Sequence, residues 1–137
     1  KIITESSGIR TLRNYDSELP EIRLDDEQIR QLFFNLIQNA IQAIQPKHGS
    51  IYITTSIEQN AGKNWIMANI RDTGAGIPDQ IQERIFDAYF TTKEQEGGIG
   101  LGLAIAYQII MAHGSPSLPA INWARTITLV RFAVNCA

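Results

Sequence analysis

The stretch R-D-T-G-A-G-I-P, Arg71 to Pro78, decides how this chain reads. It leads into I-F-D-A-Y-F-T-T-K, Ile85 to Lys93, and then G-G-I-G-L-G-L, Gly97 to Leu103. Alternation over Trp65 to Asp72 predicts a strand with Ile66, Ala68, Ile70 and Asp72 on one face, so the Asp72 carboxylate points toward the core end of that strand. A buried carboxylate is costly unless something donates to it. Asp72 therefore reads in one of two ways. It is a turn acid capping its own backbone in Asp-Thr-Gly, or it accepts from an uncharged donor such as the exocyclic amine of adenine. In the second case Gly74 and Gly76 let the backbone pass close to the base.

Working outward, Gly98, Gly100 and Gly102 alternate with Ile99, Leu101 and Leu103 and open directly into a helix. Backbone amides next to a helix N-terminus suit an anion. No Gly-Lys-Ser/Thr follows, so this is not a Walker loop, and no strand precedes it, so it is not a dinucleotide fingerprint. The bland alternative is a loop with glycines for close helix packing. Lys93 is a candidate point charge for a phosphate, or a solvated surface lysine. One acid at a strand end, two glycine turns and a lysine between them match the needs of a purine triphosphate.

Upstream, Ile29, Leu32, Phe33, Leu36, Ile37, Ala40, Ile41 and Ile44 recur with helical spacing and predict a helix over Glu27 to Gln45. Asp25 and Asp26 are its N-cap candidates, and Pro46, His48 and Gly49 its stop. Asn35 and Asn39 share one edge of this helix beside the apolar stripe. They either bond neighbouring backbone or offer a carbonyl oxygen to Mg²⁺, an ion that keeps most of its waters and is shared with substrate phosphates.

Ile9 to Leu12 and Ile22 to Leu24 read as short extended segments around the turn-rich N-Y-D-S-E-L-P, Asn14 to Pro20. Ile51 to Ile57 and Trp65 to Asp72 read as antiparallel neighbours in a sheet, polar on one side and covered by helices on the other. Pro78 to Arg84 is expected to be a short helix, Leu103 to Ala112 a helix apolar almost all round and deeply buried, and Thr126 to Val134 a strand. His48 and His113 read as structural, the latter as an imidazolium complementing a helix C-terminus. Phe86, Tyr89 and Phe90 are expected to pin the loop between the glycine turns.

The 137 residues suit a single domain, 1–137, and a net charge of −2 offers no basic stripe for a nucleic acid. No apolar run reaches the roughly 18 residues of a membrane span, so no direct membrane contact is expected. The lone Cys136 allows no internal disulfide, which fits a cytoplasmic location. The chain starts at Lys1 rather than Met and reads as a piece of a longer protein. No Ser-His-Asp order, metal-spaced Cys/His set or nucleophilic cysteine is present in the sequence.

The ordered set N-L-I-Q-N-A-I-Q-A (Asn35 to Ala43), D-T-G-A-G-I-P, I-F-D-A-Y-F-T-T-K and G-G-I-G-L-G-L-A-I-A resembles the catalytic, ATP-binding domain of sensor histidine kinases. That superfamily includes gyrase, a heat-shock chaperone and the mismatch-repair ATPases. The segment Tyr15 to Asp25 is most similar to the nitrogen-regulation type, and the resemblance spans about residues 8 to 114. It implies a two-layer α/β (α+β) sandwich of the Bergerat type. In that fold a mixed, mainly antiparallel sheet lies on about three helices, with a lid from about Pro78 to Gly102.

It further implies an ATP-binding set of Asn35, Asn39, Asp72, Gly74, Gly76, Ile77, Lys93, Gly98, Ile99, Gly100, Leu101, Gly102 and Leu103, with Asn39 as Mg²⁺ ligand and ATP and Mg²⁺ as cofactors. Hydrolysing branches carry a glutamate four residues before the metal asparagine; Asn35 stands there and cannot take a proton. No catalytic residue is then expected in this chain, and the phosphoacceptor histidine would lie on a separate dimerisation domain upstream. The implied partners are ATP, that domain and a response regulator. A hydrolysing or serine-kinase member of the superfamily, or a non-catalytic interaction module, are the alternatives. Ile99 stands where the family often has Thr or Ser, and Gln42 replaces a basic residue. After Gly114 the likeness is expected to fail, Ser115 to Ala124 intervening, with Thr126 or Thr128 as stand-ins for a threonine near adenine.

Overall fold

The computed structural model describes residues 2–6, 8–44, 48–76, 80, 102–113, 121–124 and 127–133. In chain order the elements are β1 (Ile2–Ser6), β2 (Ile9–Asn14), α1 (Asp26–Ile44), β3 (Gly49–Asn60), β4 (Lys63–Asp72), α2 (Gly102–His113), β5 (Ile121–Ala124) and β6 (Ile127–Ala133). One six-stranded sheet has the order β1-β2-β3-β4-β6-β5. Strands β2 and β3 are parallel and are joined over α1; every other neighbouring pair is antiparallel. The sheet is thus mixed, as expected, and both helices of the described residues lie against it.

Helix α1 begins where its chemistry says it must. Asp25 Oδ1 accepts from the Gln28 amide at 3.0 Å, and the Asp25 carbonyl accepts from Ile29 at 2.9 Å. Asp25 is therefore the N-cap, and Asp26 is the first helical residue, in an exposed ion pair with Arg30 that is worth little. Asp25→Ala is expected to cost about 1 kcal/mol of stability, read as a lower urea midpoint at unchanged slope. The apolar stripe packs as its spacing requires. Leu32, Leu36, Ala40 and Ile44 are buried, and Ile29, Phe33, Ile37 and Ile41 flank them.

Strands β3 and β4 outrun the expected limits, because Ala61 and Gly62 make a two-residue turn with φ of 51° and 76° and so carry the ladder out to Asn60 and Lys63. Both positive angles fit the turn geometry whose twist matches antiparallel strands. Gly49, expected to end α1, opens β3 instead. The register Ile51↔Asp72, Ile53↔Ile70, Ile57↔Ile66 puts the anticipated apolar residues on the helix side. There Ile51, Ile53, Ile66 and Ile70 join Val130 and Phe132 of β6 in the core while Ile57 stays exposed, and Phe132 lies 6.4 Å from the Phe33 ring.

Three expectations about burial and strands need correction. The sheet face away from the helices is not simply polar. Trp65 and Met67 of β4 lie on it and are 1% and 7% exposed. Glu58 sits opposite Trp65 and Arg131 opposite Met67, and these two charged groups pair at 4.0 Å across that face. Their aliphatic stems are well placed to shield apolar neighbours. Helix α2 is buried on one side only: Ala106, Ile109 and Ile110 face the core, whereas Ile105, Tyr107 and Met111 are exposed. Residues 22–24 join no ladder; Leu19, Ile22 and Leu24 pack on the core as an irregular segment. The turn-rich stretch before them is an Asx turn, with Asp16 Oδ1 accepting from the Glu18 amide at 2.8 Å.

The strand expected at Thr126 to Val134 is β6, and β5 forms within the stretch expected to interrupt the pattern. The short helix expected after Pro78 and the loop aromatics Phe86, Tyr89 and Phe90 lie outside the described residues, apart from Gln80.

Candidate functional site

The site is organised by one edge of α1. Asn35, Asn39 and Ala43 follow one another at four-residue intervals, so they stack on that edge. At one end, Asn35 Nδ2 donates to the Gly102 carbonyl, 3.1 Å away, at the start of α2. At the other, the Ala43 carbonyl accepts from the Ala75 amide at 3.4 Å, inside the D-T-G-A-G turn. The D-T-G-A-G turn and Gly102 are therefore brought to the same helix edge, about 12 Å apart along its axis. Asn39 lies midway between them.

Gly74 shows how tightly the first turn is seated. A Cβ there would lie 2.5 Å from the Ala43 carbonyl oxygen and 2.8 Å from its Cβ, closer than any side chain tolerates. The glycine thus lets the turn approach α1 closely. Gly76 has φ of 79°. Thr73 ties the same turn to β3: its amide donates to the Ser50 carbonyl at 3.1 Å, and its Oγ1 accepts from the Ser50 amide at 2.9 Å.

Asp72 lies on the helix side of the sheet opposite Ile51 and is partly buried. Its Oδ1 accepts from the Gly74 amide at 2.8 Å. The turn-acid reading is thus realised for one oxygen; among the described residues Oδ2 makes no hydrogen bond. Desolvation raises the carboxyl above its ordinary value, and the Gly74 bond offsets part of that rise. A carboxylate so placed is suited to a neutral donor.

The two asparagines differ sharply. Asn35 is 9% exposed with both amide ends engaged, since its Oδ1 also accepts from Gln31 Nε2 at 2.9 Å. Asn39 Nδ2 is buried and has no hydrogen-bond partner among the described residues. That is an unpaid desolvation cost inside an otherwise satisfied helix edge, and it marks the position where a polar ligand would be welcome.

Gly102 and Leu103 stand at the N-terminal end of α2. Ile77, Lys93, Gly98, Ile99, Gly100 and Leu101 lie outside the described residues. His113 is structural. Its Nε2 lies 3.2 Å from the Asp25 amide and its Nδ1 2.8 Å from the Ile109 carbonyl, so the ring ties the end of α2 to the start of α1. His48 lies against Gly8 at the start of β3. Sequence reasoning missed Gln31 and Ala43, which extend the spacing of four in both directions from the two asparagines. That periodicity was the signal.

A mixed sheet backed by helices, with a polar helix edge joining the D-T-G-A-G turn to the start of α2, defines a two-layer α/β sandwich. The chain belongs to the family described as histidine kinase-, DNA gyrase B- and HSP90-like ATPases, whose model matches residues 24–131. The match runs past Gly114 through β5 and into β6, so the expected break in the likeness is overturned. The sensory histidine kinase/phosphatase NtrB of Salmonella typhimurium is 38% identical over 112 residues, covering 77% of this chain and 32% of the relative. The chain thus spans about a third of the length of that relative. The catalytic domain of histidine kinase ThkA superposes with a TM-score of 0.72 at 30% identity, over 93% of this chain and 80% of that one. Full-length ShkA in complex with AMPPNP gives 0.70 at 28% identity, over 96% and 27%. ThkA in complex with the response regulator protein TrrA gives 0.66 at 25%, over 94% and 35%. The relatives named here are histidine kinases, which are ATP-dependent phosphotransferases.

Proposed function

We propose that this chain is the ATP-binding catalytic domain of a two-component sensor kinase, presenting the γ-phosphoryl group of ATP to a histidine on a separate dimerisation domain. The parent protein would then pass the phosphoryl group to a response regulator, and this domain would work in the cytoplasm. The observation that carries the reading is the convergence of Asp72, Asn39 and Gly102 on one edge of α1.

In this reading Asp72 Oδ2 accepts from the exocyclic amine of adenine, and the D-T-G-A-G turn, with Ile77, shapes the base pocket. Asn39 would hold Mg²⁺ through its carbonyl oxygen. The fit is supported by the place of Asn39 on α1, between Asn35 at Gly102 and Ala43 at the D-T-G-A-G turn, and by the ability of one amide oxygen to hold an ion that is shared with phosphates. Bound there, the ion would neutralise phosphate charge. Lys93 and the amides of Gly98 to Leu103 would hold the triphosphate. Transfer breaks the bond from the γ-phosphorus to its bridging oxygen and makes one to an imidazole nitrogen, whose proton leaves to a base outside this chain.

Asn35 argues against efficient hydrolysis. An amide takes no proton at neutral pH, and this one is already committed at both ends. The isolated chain is expected to bind Mg·ATP with little turnover. A coupled ADP-release assay on it checks this: brisk hydrolysis would favour the hydrolysing branch and contradict the proposal.

A further inference from the structure

We infer that Gln31 is a positioning residue for the triphosphate end of the nucleotide, acting by fixing which way the Asn35 amide faces. This rests on the ATP reading above. An asparagine amide has two ends of nearly equal shape and opposite hydrogen-bonding sense. Gln31 Nε2 donates to Asn35 Oδ1 at 2.9 Å, which turns Asn35 Nδ2 onto the Gly102 carbonyl at 3.1 Å. The reverse orientation would set two acceptor oxygens against each other at the start of α2. Gln31 itself is exposed, whereas Asn35 is 9% exposed, so the relay runs from the surface inward.

Gly102 is the first residue of α2, and Asn39 lies one turn along α1 from Asn35. Apolar packing of Ala106, Ile109 and Ile110 holds the body of α2, and the orientation of the Asn35 amide adjusts its first residue, Gly102, relative to Asn39. The adenine end does not depend on it. Asp72 is fixed by β3 and by Gly74, and Gly74 is seated on Ala43, two turns from Asn35. Loss of Gln31 should be felt by the phosphates and not by the base.

The test compares Gln31→Ala and Gln31→Glu with the unaltered chain. Kd is measured by calorimetry for Mg·AMPPNP and for adenosine monophosphate, with Tm alongside. The alanine variant removes the orienting donor and is expected to lose roughly 3- to 10-fold in AMPPNP affinity. The glutamate variant is expected to lose more, because an acceptor at position 31 draws Asn35 Nδ2 away and turns its oxygen onto Gly102. That order should persist in about 0.5 M salt, where the added charge is screened. Monophosphate affinity should stay unchanged in Gln31→Ala, while Tm falls by a few degrees because Asn35 Oδ1 loses its donor.

Equal losses for mono- and triphosphate would show a merely structural role and overturn the inference, as would unchanged AMPPNP affinity or tighter binding by the glutamate variant than by the alanine one. An unaltered chain that binds neither nucleotide overturns the ATP reading itself, and this inference with it.

Discussion

Asp72→Asn is expected to weaken nucleotide binding about 10- to 100-fold while leaving the fold as stable as before or more so. Both halves follow from the same geometry. Asparagine keeps an oxygen for the Gly74 amide, so the turn that Asp72 caps survives. Its other end becomes an NH₂, which meets the adenine amine donor to donor, and a charge-assisted bond worth about 1.5–3 kcal/mol is lost.

The stability half is a matter of sign. Burial raises the Asp72 carboxyl above its ordinary 3.8, so the folded chain holds the proton more tightly than the unfolded one. Its contribution to stability is full below 3.8 and is lost as pH climbs through the folded value, leaving a destabilising charge at neutral pH. The advantage of the asparagine variant in urea unfolding should therefore be present at pH 7 and shrink as pH falls toward 3.8. Nucleotide affinity equal to that of the unaltered chain would remove Asp72 from the site.

Asn39→Ala is expected to abolish the dependence of nucleotide affinity on Mg²⁺, a loss of at least about 10-fold at millimolar metal, with Tm held or raised. A buried amide without a partner costs roughly 1–3 kcal/mol, and removing it relieves that cost. A residue kept for stability would behave oppositely, as Asn35 should: deleting its amide strands the Gln31 donor and unpins Gly102. Titrations with and without chelator, run beside thermal melts, separate the two. A large fall in Tm for Asn39→Ala with metal dependence intact would assign that asparagine to the fold alone.

Those two side chains were legible because they obey local periodicity. Parity along β4 put Asp72 on the helix side, and the spacing of four put both asparagines on one edge of α1. What escaped depended on tertiary context. Trp65 to Ala68 is a continuous apolar run, the pattern of a strand buried on both faces, yet parity alone kept only half of it. Helix α2 is apolar all round, but with nothing over its outer side among the described residues Ile105 and Met111 stay exposed.

Strand β1 went unnoticed because an edge strand of five residues carries too little alternation to stand out. Gly74 shows a similar limit: a glycine declares close approach, while only the fold brings the Ala43 carbonyl beside it. The turn-acid reading of Asp72 uses one oxygen only, which leaves the ligand reading compatible with it.

The account stands on separate parts of the chain meeting at one ligand, and an NMR titration of the chain with Mg·AMPPNP tests that most directly. The backbone amides of Gly74, Gly76 and Gly102 and the side-chain amide of Asn39 should shift together and saturate with a single Kd, while those of β1 and β2 stay put. Shifts that follow different saturation curves, that cluster on the β1–β2 edge, or that fail to appear at millimolar nucleotide would contradict it.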